Sequence, residues 1–425
     1  MAFSYGLTFP AAFLRYQSEE YPDLFKFYTA VPTRSTESSA ANKRRPVLYT
    51  SMNGGVRWKY ESASTGLYQA NYCGNFYFDG SSGGLTGFAH KSASSSYGAY
   101  KARCGLSTRY IKLGVQNWET SSVVAYNTAN QPNREITRQL NGSRYFCIKE
   151  SGGFVYNNSA WGTANWTALS IPSGTTLSDD GGFRHICNNT EKDHEALVFL
   201  TTNDSNKYLK FYLFNTSDLG FGTDYTSTVC LGYTNWKQAN YKYVSIGYLP
   251  KVGYLIFYNY SSGSKGTEVI ILRTYDAQTG EELPYNQYVA DGPYILFYGS
   301  DATIVQYGSH GWYCPWTKEY YFCPNARCVC WSKDGVAWEH SANTSSAATA
   351  VCQKFLTDGQ SMVIATSGSA FYYSRDKGQT WTNDYTVSPN CFNTSRSTDT
   401  IVLPFKCVNN IGLNTNIKLL ANFTN

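Results

Sequence analysis

The feature that most restricts this chain is a succession of short runs rich in aromatic and β-branched residues. Each run is cut off by Gly, Asn, Asp, Ser or Pro. "KYLKFYLFN", "YKYVSIGYLP", "GYLIFYNY" and "TEVIILRTYD" are typical. In "YLPKVGYLIFY" only a few turn residues separate two runs, which is hairpin spacing and implies antiparallel pairing. No stretch sustains the helical apolar period over several turns. An all-β chain follows.

Composition narrows the function. Charged residues make up 15 % of the chain and aromatics 16 %, with 37 Tyr, so the surface is polar through hydroxyls and amides. Such a surface suits contact with carbohydrate or with other proteins. A net charge of +5 spread over 425 residues is mild. The densest basic run, Lys43, Arg44 and Arg45, sits in a Ser/Thr/Ala-rich stretch and reads as a solvated loop, so no nucleic acid is expected. No apolar window is long enough to span a bilayer, and no membrane insertion is expected. The N-terminal residues lack a basic segment followed by an apolar one. The expectation is therefore a protein not exported by a recognisable signal: in the virion if viral, otherwise cytoplasmic.

The 12 Cys are mostly embedded in strand-like text and read as buried thiols. One cluster, Cys323, Cys328 and Cys330 with Cys314 and His310 upstream, invites a zinc reading. Its spacing lacks the two close ligand pairs a structural zinc site needs, and a hairpin across "PNAR" places Cys323 near Cys328 instead. No metal and no cofactor is expected. Phosphate-loop, dinucleotide, zinc-protease and nucleophile-elbow motifs are absent from the sequence.

Evenly spaced strands call for a repeat. The clearest probe is "YSRDKGQTWTN", with Ser374, Asp376, Gly378, Thr380 and Trp381 at fixed offsets. "SMNGGVRW" follows it with Ser51, Asn53, Gly55 and Trp58, and "SKDGVAW" follows it with Ser332, Asp334, Gly335 and Trp338. Polar turns leading to Trp118, Trp166 and Trp236 follow the theme more loosely, and "YDAQTGEEL" has Asp276 and Gly280 with Leu283 in the Trp place. The pattern resembles the Asp-box, the sialidase-type (BNR) repeat. That resemblance implies a β-propeller with Asp-box turns closing four-stranded antiparallel blades. In such a turn the Asp accepts backbone N–H groups, the Gly permits a positive φ, and the Trp packs on the sheet. These are roles in folding and need no substrate.

The markers Trp58, Trp118, Trp166, Trp236, Leu283, Trp338 and Trp381 lie 60, 48, 70, 47, 55 and 43 residues apart. That series predicts one propeller domain over 1–425 with seven blades, six being the alternative. Loop insertions are expected near 79–100 and 188–196. The two ends, "AFSYGLTF" and "IGLNTNIKLLANFT", are read as strands sharing a closing blade.

The resemblance also raises an enzyme. Sialidase-like enzymes bind an acidic sugar through three Arg and use a Tyr/Glu pair with an Asp acid/base. The Arg-Ile-Pro signature is missing here; "FRHI", with Arg184 and His185, is its nearest text. No catalytic residue is carried over. His185, Cys187 and His194 in "RHICNNTEKDH" suggest a Cys/His site only by proximity in sequence. The function expected is a non-enzymatic structural or adhesive component of a larger assembly, such as a phage tail. Its partners would be other protein subunits and surface glycan, for receptor or carbohydrate binding. The alternative is a diverged sialidase-like glycoside hydrolase or glycan-binding lectin.

Overall fold

The computed structural model describes residues 28–30, 47–51, 59–63, 70–73, 77–79, 84–91, 97–104, 115–120, 132–138, 144–149, 153–158, 167–176, 186–203, 209–225, 244–260, 266–298, 311–314, 317–325, 328–342, 352–357, 362–366 and 371–384, with side chains placed within 144–342 and 374–382. Among them every regular element is a strand apart from one 3-10 turn, Tyr285–Gln287. No helix there is long and apolar enough to cross a membrane.

The strands form seven antiparallel sheets in chain order. The first holds β1 (Tyr28–Ala30), β2 (Val47–Ser51) and β3 (Lys59–Ala63). The second holds β4 (Ala70–Cys73), β5 (Tyr77–Asp79), β6 (Gly84–Lys91), β7 (Tyr97–Cys104) and β8 (Val115–Thr120). The third holds β9 (Pro132–Arg138), β10 (Tyr145–Lys149), β11 (Gly153–Asn157) and β12 (Thr167–Ala168). The fourth holds β13 (Thr175–Thr176), β14 (Ile186–Asn188), β15 (Glu195–Thr202), β16 (Leu209–Asn215) and β17 (Gly220–Asp224). The fifth holds β18 (Ser245–Leu249), β19 (Gly253–Tyr260), β20 (Gly266–Arg273) and β21 (Val289–Tyr298). The sixth holds β22 (Gly311–Cys314), β23 (Glu319–Asn325), β24 (Cys328–Ser332) and β25 (Glu339–His340). The seventh holds β26 (Cys352–Thr357), β27 (Met362–Thr366), β28 (Phe371–Ser374) and β29 (Thr382–Asp384).

Contacts group the chain into two units, Met1–Val123 with Phe355–Asn425, and Val124–Lys354. Within the second unit the sheets stack face to face, because each strand alternates its apolar side chains between two cores. On β15, Ala196, Val198 and Leu200 join Phe146, Phe154 and Phe214 in one core, while Leu197 and Phe199 join Ile246, Tyr254 and Ile256 in the next. On β19, Leu255 and Phe257 turn the other way, to Phe322 and Cys330 of the sixth sheet. Phe257 and Phe322 stack with ring centroids 3.9 Å apart. Each large apolar side chain buried in this way contributes about 1.5–3 kcal/mol.

β18, the first strand of the fifth sheet, lies beside β14 of the fourth on one side and β22, the first strand of the sixth, on the other. Their approach depends on two missing side chains. The buried Tyr320 hydroxyl occupies the space where a Cβ on Gly247 or on Gly311 would fall.

Several expectations need correction. Residues 79–100, expected as a loop insertion, carry β6 and the start of β7, paired from Gly84↔Arg103 to His90↔Tyr97. Within 188–196, Asn188 ends β14 and Glu195 and Ala196 begin β15, so only residues 189–194 form the connection between them. In the β23–β24 hairpin Phe322 pairs with Cys330 and Asn325 with Cys328, so Cys323 is not the register partner of Cys328. The expected closing segments at both ends, and Trp236, lie outside the described residues.

Candidate functional site

The described turns at 332–338 and 374–380 are held by side-chain acceptors. At 374–380, Ser374 is buried, and its Oγ accepts the Gly378 N–H at 2.7 Å. Asp376 Oδ1 accepts from the Ser374 hydroxyl at 2.7 Å and the Thr380 N–H at 2.9 Å, and its Oδ2 accepts from the Thr380 hydroxyl at 2.6 Å. Gly378 has φ 82°. Trp381, half-buried, immediately precedes β29. At 332–338, Ser332 Oγ accepts from Gly335 N–H at 2.8 Å, and Asp334 Oδ1 accepts from the N–H groups of Val336 and Ala337 at 2.8 and 2.9 Å. Gly335 has φ 76°. The Trp338 indole N–H reaches Gly335 O at 2.7 Å, and its ring meets Phe257 edge-on at 5.7 Å. Burial pushes the Asp334 and Asp376 carboxyls up, but the hydrogen bonds they accept outweigh it and hold both below the ordinary carboxylate value. Ser51 ends β2; Asn53, Gly55 and Trp58 lie outside the described residues.

Two further turns use the same device without the serine. Asp276 Oδ1 accepts from Gln278 and Thr279 N–H at 2.8 and 2.7 Å, with Gly280 at φ 71°. Asn215 Oδ1 accepts from Ser217 and Asp218 N–H at 2.9 and 3.0 Å, with Leu219 at φ 61°. Both sit between the last two strands of their sheets, as Asp334 and Asp376 do. The Asn215 turn was missed in the sequence because it lacks the flanking Ser and carries Asn for Asp and Phe221 for Trp.

Between the fourth and fifth sheets lies a polar network. Glu195 opens β15, and its carboxylate accepts from Asn189 Nδ2 at 2.8 Å, Tyr254 OH at 2.9 Å and Tyr288 OH at 3.1 Å. Lys192 Nζ donates to Tyr288 OH at 2.8 Å and pairs with Glu282 at 2.9 Å. Glu191 accepts from Tyr248 OH at 3.1 Å and pairs with Lys251 at 3.0 Å, while Lys251 Nζ donates to Tyr275 OH at 3.1 Å. Burial, then the Glu195 charge, pushes the Tyr225 phenol up to about 12 and drives Tyr254 and Tyr288 well above the ordinary phenol value. Each of these phenols donates a hydrogen bond, Tyr225 to Tyr285 O and Tyr254 and Tyr288 to Glu195.

Beside this network opens a cleft of about 470 Å³. Its walls are the 192–195 turn and the β16–β17 hairpin from Leu213 to Thr223, and Tyr285 stands over it. Tyr285 is 60 % exposed, yet its main chain is fixed: Tyr225 OH donates to Tyr285 O at 2.8 Å. Asp193, Glu195 and Asp218 line the cleft against one ammonium, Lys192, and no described arginine. Of the arginines with placed side chains, Arg144 binds Thr216 O and Ser217 O, and Arg273 pairs with Asp291 at 2.5 Å.

The structure describes only part of the remaining sequence candidates. His194 lines the cleft, whereas Cys187 packs partly buried against the core between the fourth and fifth sheets. Arg184, His185 and His310 lie outside the described residues. Cys314, Cys328 and Cys330 are buried thiols outside any disulfide, and Cys328 and Cys330 hydrogen-bond one another. Among the described residues no group of three or more His, Cys, Asp or Glu is placed to hold a metal ion.

No protein-family model and no curated protein matches the chain. Among solved structures it is similar to YCF48 from Cyanidioschyzon merolae, with TM-score 0.43 and 12 % identity, covering 75 % of this chain and 86 % of that one. It is also similar to a candidate 6-phosphogluconolactonase from Bacteroides uniformis, with TM-score 0.44, 10 % identity and coverage of 85 % and 96 %. A third is the Aleuria aurantia lectin, solved with α-methyl-L-fucoside, with TM-score 0.38, 11 % identity and coverage of 76 % and 97 %. The lectin is described as a six-bladed β-propeller. At these identities no residue is carried across from any of them.

Proposed function

We propose that this chain is a β-propeller that works by binding: a non-enzymatic structural or adhesive component of a larger assembly, such as a phage tail, contacting partner subunits or surface glycan. Face-to-face antiparallel sheets, with β18 flanked by β14 and β22 of the neighbouring sheets, support the propeller. Turns of the Asp-box kind at the 332 and 374 positions would then close individual blades.

One observation carries the non-enzymatic part. The Tyr288–Glu195 pair is the nearest approach to a sialidase-like acid/base constellation, and its carboxylate already accepts from Asn189, Tyr254 and Tyr288. In a Tyr/Glu pair the phenol gives its proton to the carboxylate, and burial beside the Glu195 charge holds the Tyr288 phenol well above its ordinary value. Here the donors hold the carboxylate in place, and no described arginine lines the cleft to grip an acidic sugar. Incubation with fluorogenic sialosides and neutral glycosides is expected to give no product above the uncatalysed rate. Turnover that disappears in Glu195→Gln would overturn the reading.

A further inference from the structure

The cleft beside Glu195 has a chemistry that specifies its ligand more narrowly. Its volume, about 470 Å³, lies within the roughly 300–1,000 Å³ usual for small-ligand sites. An aromatic ring stands at its mouth, exposed at the side chain and anchored at the carbonyl. An exposed ring on a fixed main chain offers its face to the C–H surface of a ligand.

The floor is open for a reason not found in packing. Gly220 on β17 has no positive φ, and a Cβ built there would meet nothing within 4 Å. Neither the backbone nor a neighbouring side chain requires glycine at this position. Its absent side chain leaves the edge-strand backbone accessible from the cleft.

The lining also has a sign. Asp193, Glu195 and Asp218 outnumber Lys192, whose ammonium is already paired with Glu282 and bonded to Tyr288. An anionic ligand would meet net repulsion there, whereas hydroxyl and ammonium donors would meet acceptors.

We propose that this cleft binds a non-acidic saccharide, a neutral hexose or hexosamine, with its C–H face stacked on the Tyr285 ring and its donors directed at the carboxylate-lined wall. The proposal rests on the binding-module reading above and deepens it. It also departs from the sialic acid that the Asp-box resemblance would suggest.

The test is saccharide binding by the full chain, measured by titration calorimetry and on immobilised neutral, hexosamine-bearing and sialylated glycans. Tyr285→Ala and Tyr285→Trp are compared with the parent. Tyr285→Ala keeps the main-chain carbonyl that receives Tyr225, so its circular dichroism and melting should match the parent. The expected result is binding of a non-acidic glycan, weakened about tenfold in Tyr285→Ala and retained in Tyr285→Trp. Preference for the sialylated glycan, equal binding by Tyr285→Ala, or no binding of any saccharide would overturn the site. Equal binding by the alanine variant leaves the binding-module reading standing; glycoside turnover abolished in Glu195→Gln removes that reading as well.

Discussion

Which side chain holds a turn such as 332–338 together can be decided by burial. Asp334 is the conspicuous residue, and it accepts the N–H groups of Val336 and Ala337. Both hydrogen bonds lie at an exposed tip, so water replaces the carboxylate when it is removed. Asp334→Ala is then expected to cost about 1 kcal/mol, as loss of a comparable helix cap does. Ser332 is 3 % exposed, and its Oγ is the acceptor for the buried Gly335 N–H at 2.8 Å. Gly335 lies against Ile271 and Leu255 of the fifth sheet, where water has little access. Ser332→Ala strands that donor and is expected to cost about 2 kcal/mol, within the range for an unsatisfied buried group. Urea unfolding followed by tryptophan fluorescence reads both values as shifts in midpoint at unchanged slope. Ser374→Ala and Asp376→Ala repeat the comparison, since Ser374 is 2 % exposed and bonds Gly378 N–H in the same way. Carboxylate variants costing more than serine variants in both turns would refute the argument from burial.

Three other outcomes follow from the same geometry. Trp338→Ala loses the indole bond to Gly335 O and the edge contact with Phe257, and because the ring is only partly buried the expected loss in urea unfolding is about 2 kcal/mol. Stability should fall at both ends of the pH scale. Tyr225 is raised from 10.0 to about 12, so its contribution is complete below pH 10 and is lost as pH rises through about 12; Asp334 and Asp376 lie below their ordinary 3.8, so theirs is present above that value and lost as pH falls beneath it. Difference titration of phenolate absorbance against Tyr225→Phe checks the alkaline limb, and acid unfolding of the Asp334→Asn chain checks the other. Burial pushes the Cys330 thiol well up, and Cys314, Cys328 and Cys330 are inaccessible, so a thiol reagent should label them only after denaturation; rapid labelling of the native chain at these sites would contradict their burial.

The strand content was legible because aromatic and β-branched runs have few alternatives when every boundary is a turn residue. Ser332, Asp334, Ser374 and Asp376 could be located because their side chains act on neighbours a few residues away, and local chemistry leaves a local pattern. Loops were harder. "DGSSGGLTGFAHKSASSSYGAY" reads as a linker by composition, yet most of it pairs as β6 and β7, because a strand's stability comes from its partner rather than from its own propensity. The Glu195 network was not legible at all. Asn189, Glu195, Tyr254 and Tyr288 are brought together by two sheets packing, and no spacing in the chain records that meeting.

The fourth sheet shows how a structural turn can come to line a cleft. In the sixth sheet the residue following the Asp turn is Trp338, whose indole packs on Phe257 and covers the core. In the fourth, the turn at Asn215 is followed by Gly220, Phe221 and Gly222. Phe221 still packs inward, 4.8 Å from Phe214, so the core between the third and fourth sheets remains covered. Two glycines and a smaller ring leave space at the hairpin tip, while the Asn215–Asp218 hydrogen bond at 2.9 Å keeps a carboxylate at its edge. The same backbone reversal that closes a sheet elsewhere therefore builds one wall of the cleft here. The fold tolerates the change because the turn is held by the Asn215 side chain and its N–H partners, independently of what the next strand carries.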